Sequence, residues 1–107
     1  MQGSTEGVRM TSTSDSPPTA LVTGAGRGIG RAIALDLIAA GYRVLLTARS
    51  ADQLQETAEI SANPDATHIL TGDVITDGER IVNEALRIFG KLDVLILNAR
   101  SEEHTSE

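Results

Sequence analysis

Thr23-Gly24-Ala25-Gly26-Arg27-Gly28-Ile29-Gly30 lies between the apolar run Ala20-Leu21-Val22 and the amphipathic stretch Arg31–Ala40, and its reading decides the fold. A chain that leaves a strand, turns at once and enters a helix needs glycine for three reasons. The turn is sharp, the backbone must come close to a ligand, and the new helix must pack tightly on the sheet. A helix opening near Gly28 would aim its unpaired N–H groups and positive dipole end back at the turn, an arrangement that suits phosphate. The segment is therefore a candidate pyrophosphate cradle. It is not a Walker loop, because no Gly-Lys-Ser/Thr follows.

Working outward, the pattern from Thr19 alternates strand and helix. Ile29, Ile33 and Leu37 recur at helical spacing, with Ala34 and Ile38 beside them, and Gly41 is the expected left-handed stop. Val44-Leu45-Leu46 is a continuous apolar run, typical of a strand covered on both faces. Ser50 and Gln53 read as a capping box opening a helix that carries Leu54 and Ala58 and runs to about Ser61, before Asn63-Pro64. His68–Thr71 is a third strand. Thr76 and Glu79 read as a second capping box, with Ile81, Ala85, Ile88, Val82, Leu86 and Phe89 as the apolar face of a helix running to Gly90. Leu92–Leu97 is the fourth strand. Connections that contain helices are too long for hairpins, so the strands should be parallel with right-handed crossovers. The expected class is α/β, a Rossmann-type doubly wound parallel sheet of order 3-2-1-4 that stops after its fourth strand.

The glycine spacing narrows the family. The commoner G-x-G-x-x-G register fails, since Ile29 or Arg31 would stand at the third glycine. T-G-x-x-x-G-x-G fits, with Gly24, Gly28 and Gly30, and resembles the cofactor motif of the classical short-chain dehydrogenases/reductases. Within that family Thr-Gly-Ala-x-Arg-Gly-Ile-Gly is similar to 3-oxoacyl-carrier-protein reductases. The extended, epimerase-like branch has a glycine where Arg27 stands.

The resemblance implies a nicotinamide dinucleotide as cofactor and a carbonyl or alcohol as substrate of the full-length protein, which would be a homo-oligomer. Gly24, Gly28, Ile29 and Gly30 would form the turn against it. In NAD users of the family an acidic residue ends the second strand, where this chain has Ala48 followed by Arg49. With no carboxylate to repel a 2′-phosphate, Arg49 and Arg27 favour NADP over NAD. Asp73 and Val74 fall where the family contacts adenine. Asn98 and Ala99 resemble part of its Asn-Asn-Ala-Gly, with Leu97 and Arg100 replacing the outer residues.

The family's catalytic residues are a Ser, a Tyr with Lys four positions later, and a further Asn. The only tyrosine, Tyr42, has Leu46 at that spacing, and the only lysine is Lys91. No catalytic residue is assigned, and the chain as it stands is expected to be inactive. The resemblance covers Thr19–Ala99, the first half of such a domain. It implies a fragment of an NADP-preferring oxidoreductase, the alternative being a non-catalytic dinucleotide-sensing module.

At 107 residues there is room for one small domain. A formal charge of −6 argues against nucleic acid. The absence of cysteine removes disulfides and thiol chemistry, and two isolated histidines make no zinc site. No apolar run is long enough to span a membrane and no secretory signal is present, so a soluble cytoplasmic protein is expected. Residues 1–18 are rich in Ser, Thr and Gly and read as a disordered leader, within which Met10 offers a second start. Residues 19–99 are the partial dinucleotide-binding domain. Residues 100–107, Arg-Ser-Glu-Glu-His-Thr-Ser-Glu, match one reading frame of a common sequencing adapter and are expected to be a non-native tail. A sheet ending at its fourth strand leaves an open edge, and the chain is expected to be marginally stable.

Overall fold

The computed structural model describes residues 17–98. Its elements are β1 (Thr19–Thr23), α1 (Gly28–Ala39), β2 (Arg43–Ala48), α2 (Ala51–Ile60), a 3-10 turn (Pro64–Ala66), β3 (Thr67–Thr71), α3 (Val74–Phe89) and β4 (Val94–Ile96). The four strands form one parallel sheet in the order β3-β2-β1-β4, as the alternation implied. The two inner strands, β1 and β2, are apolar because both faces are covered. Leu21, Leu45 and Leu46 are completely buried, and each such side chain contributes roughly 1.5–3 kcal/mol by leaving water.

Strand side chains alternate between two cores. Ala20, Val22, Val44 and Leu46 pack with Ala34 and Ile38 of α1 and with Leu54 and Ala58 of α2. Leu21 and Leu45 pack on the opposite face with Ile81 and Ala85 of α3. The sheet is thus doubly wound: α1 and α2 cover one face and α3 the other. β1 and β4 lie side by side where the winding reverses, and in open α/β sheets the ligand crevice forms beyond the strand ends at such a switch.

The helix ends follow local chemistry. Gly41 (φ 99°) and Gly90 (φ 79°) take left-handed conformations just beyond α1 and α3. Ser50 caps α2, its hydroxyl accepting from the Gln53 amide at 3.3 Å.

Three expectations are corrected. The centre of the buried stripe of α1 is Gly30, Ala34 and Ile38, while Ile29 is 68% exposed and Ile33 and Leu37 are half-buried. At Gly30 the helix packs so closely on the Gly24 carbonyl that no side chain fits, a contact that hydrophobic spacing does not register. α3 begins at Val74, capped by Asp73, whose carboxylate accepts from the Ile75 amide at 2.9 Å. Thr76 therefore lies inside the helix rather than at its cap, and Leu86 is exposed. β4 is three residues, shorter than Leu92–Leu97. At Asp93 a side chain enters the pairing, because its Oδ2 accepts from Thr19 N at 2.9 Å. That hydrogen bond, with Lys91 Nζ 3.3 Å away, holds the Asp93 carboxyl below its ordinary range.

Candidate dinucleotide site

The glycine turn leaves β1 at Gly24 (φ 64°) and enters α1 at Gly28 (φ 62°), two left-handed positions that L side chains rarely adopt. A β-carbon at Gly28 would meet nothing within 4 Å, so the turn is open on that side. Gly30 is the reverse case. A β-carbon there would overlap the Gly24 carbonyl oxygen and sit 2.7 Å from the Gly24 carbonyl carbon and 2.8 Å from Asn98 Nδ2. Gly28 thus serves an open approach and Gly30 serves close packing.

The other predicted residues gather at the same edge of the sheet. Asn98 follows β4, and its amide donates to Thr23 Oγ1 at 2.7 Å, while the Thr23 hydroxyl also reaches the Ile96 carbonyl at 3.3 Å. This threonine ties β1 to β4 beside the turn. Ile29 is exposed on the first turn of α1. Beyond β2, Arg49 and Ser50 face Arg27 across an open cleft of about 260 Å³ that Ala48 and Gln53 also line. The two arginines chosen from sequence therefore share one cleft. Asp73 and the half-buried Val74 come next along the edge, since Gly72 N donates to the Ala48 carbonyl at 3.0 Å. One Asp73 oxygen is occupied in capping α3. Ala99 lies outside the described residues.

Sequence reasoning missed the support beneath the turn. Gly26 lies against α2: a β-carbon there would come within 2.8 Å of Gln53 Cβ. Arg31 Nη2 donates to the Gly26 carbonyl at 2.7 Å, and its Nε donates to Thr57 Oγ1 at 2.9 Å. The completely buried Thr57 reaches the Ala25 carbonyl at 2.9 Å. Helical spacing gave no hint of these bonds, because Arg31 and Thr57 belong to different helices.

Among the described residues no cluster of His, Cys, Asp or Glu could hold a metal, and no helix is long and apolar enough to cross a membrane. An edge of backbone amides, a glycine turn and two arginines is chemically suited to phosphate groups.

The family model of the short chain dehydrogenases matches residues 18–106. The chain belongs to that family. It is 43% identical over 84 residues to the tetrahydroxynaphthalene reductase of Pyricularia oryzae, an alignment covering 75% of this chain and 30% of that protein. Among solved structures, apo glucose dehydrogenase of Caenorhabditis elegans superposes with a TM-score of 0.70 at 33% identity, covering 83% of this chain and 40% of that one. An actinorhodin polyketide ketoreductase crystallised with NADPH gives 0.68 at 34% identity, over 76% and 32% of the two chains. The chain thus spans about one third of the length of the curated relatives it matches.

Proposed function

We propose that this chain is the cofactor-binding part of an NADP(H)-dependent short-chain dehydrogenase/reductase, whose whole protein transfers hydride to or from a carbonyl or alcohol substrate. The observation that carries the reading is the cleft between Arg27 and Arg49, reached directly from the glycine turn. The turn would hold the pyrophosphate through Gly24, Gly28 and the first amides of α1. Ile29, Asn98 and Ala99 would flank the nicotinamide-side ribose, and Asp73 with Val74 would border adenine. The 2′-phosphate would lie between the two guanidinium groups, where a planar donor fork matches phosphate oxygens. Ala48 supports this choice, because no carboxylate stands there to repel a second phosphate. The NADPH complex of the actinorhodin relative is consistent with the same preference. The groups that would orient and protonate a carbonyl belong to the rest of such a protein.

The test is the ratio of NADPH to NADH affinity for the chain, measured by calorimetry before and after Arg49→Ala. A hydrogen-bonded charge contributes about 1.5–3 kcal/mol, so NADPH binding should weaken roughly 10- to 150-fold while NADH stays within about twofold. Equal losses for the two cofactors would refute the 2′-phosphate assignment.

A further inference from the structure

Arg31 occupies the first turn of α1, where a cation opposes the helix dipole. Its side chain is engaged in a way that offsets that cost. The guanidinium lies under the glycine turn and spans to α2, with Nη2 donating to the carbonyls of Gly26 at 2.7 Å and Gln53 at 3.4 Å and pairing with Glu56 Oε1 at 3.1 Å. Nε donates to Thr57 Oγ1, whose hydroxyl is within reach of the Ala25 carbonyl. Two consecutive carbonyls of the turn are thereby drawn toward α2. In a trans peptide the C=O and N–H vectors are opposed, so the amides of Gly26 and Arg27 are turned away from α2.

The same contacts join the two walls of the arginine cleft. Gly26 immediately precedes Arg27 on one wall, and Gln53 belongs to the α2 turn that follows Arg49 and Ser50 on the other. We propose that Arg31, with Thr57 as its second leg, is a positioning residue for cofactor selection. It locks the glycine turn to α2 and so fixes the separation and orientation of the groups that receive the 2′-phosphate. This rests on the NADP reading above. The Glu56 pair is an exposed surface contact and adds little, whereas the part-buried hydrogen bonds to Gly26 and Thr57 set the geometry.

The test compares adenosine 2′,5′-bisphosphate with adenosine 5′-monophosphate, two probes that differ only in the 2′-phosphate, on the full 107-residue chain. In Arg31→Met the preference for the bisphosphate should fall by about tenfold, the equivalent of one well-formed charge-assisted hydrogen bond, with the monophosphate changed far less. Thr57→Val, nearly isosteric, should lower the preference in the same direction, and it carries the test if Arg31→Met loses its folded amide spectrum. Arg31→Lys keeps the charge, but a compact ammonium cannot span the same acceptors, so it should resemble Arg31→Met. An unchanged preference in Arg31→Met or Thr57→Val, or full recovery in Arg31→Lys, would overturn the tether. A wild-type chain that does not discriminate the probes would instead sink the NADP reading on which the tether rests.

Discussion

Gly30→Ala isolates the packing that the fold demands of the glycine turn. The added methyl would stand 2.7 Å from the Gly24 carbonyl carbon and 2.8 Å from Asn98 Nδ2, against about 3.4 Å for ordinary contact. Relief therefore needs at least roughly 0.7 Å of movement, and more to clear the Gly24 oxygen. Two of the three groups in the way are backbone, so no flexible side chain can absorb the shift. Overpacking of this kind costs about 1–3 kcal/mol, offset by up to about 1 kcal/mol because alanine is the better helix former. A net loss near 1–2 kcal/mol should lower the urea midpoint by about 1–2 M, taking a slope of about 1 kcal/mol/M for a domain this small. Gly78→Ala is the matched control. It lies within α3, and its nearest prospective contact is Val74 Cγ2 at 4.0 Å, so the same change should stabilise by about 0.5–1 kcal/mol. Urea unfolding followed by circular dichroism reads both variants. A Gly30→Ala midpoint equal to or above that of Gly78→Ala would refute the close-packing account.

His68 is predicted to make stability fall on acidification. Burial and the neighbouring Arg43 lower its pKa, so the unfolded chain takes up the proton first; the contribution is complete above the ordinary histidine value and is lost as pH falls through the folded one. In His68→Gln the urea midpoint should decline less between pH 7 and pH 5, and an identical slope would contradict the assignment. Thr23 and Thr47 pair in register on neighbouring strands, but only Thr23 has hydroxyl partners among the described residues. Thermal melts should show Thr23→Val losing about 1–2 kcal/mol and Thr47→Val neutral or slightly stabilised; the reverse order would refute this difference.

What the sequence disclosed was whatever leaves a periodic or positional mark. Val44-Leu45-Leu46 announced a strand covered on both faces, Gly41 announced a left-handed stop, and helix-bearing connections announced parallel strands. The order 3-2-1-4 followed from those connections. Two of the misread details have a common origin in competing local chemistry. Thr76-x-x-Glu79 satisfies a capping pattern, yet Asp73 supplies a side-chain acceptor three residues earlier and captures the helix start. The β4 ladder begins late because the Asp93 carboxylate accepts the Thr19 amide. The α1 face was misplaced because a glycine at the tightest contact has no hydrophobicity to detect. At the candidate site, Arg27 and Arg49 could be paired by their positions along a recognised motif. Arg31 and Thr57 could not, because their link is a three-dimensional contact between two helices.

That difference bears on how the site divides its work. A glycine turn and a helix end would bind phosphate through backbone N–H groups, which every residue type except proline carries, so side-chain replacement around the turn should change selectivity before it changes binding itself. Glycine replacement acts the other way, because Gly30 serves the contact between α1 and the turn that presents those groups. Gly30→Ala should therefore weaken NADPH and NADH together along with stability, whereas Arg49→Ala should separate the two cofactors and leave the melt nearly unchanged. Arg31 lies between these cases, since it is bonded to the turn through Gly26 and to α2 through Thr57. Its loss should move selectivity like Arg49 while loosening the fold less than Gly30→Ala. If affinity and stability instead fell in fixed proportion across all three variants, cofactor preference would be a by-product of overall order, and the arginine cleft would have no separate part in it.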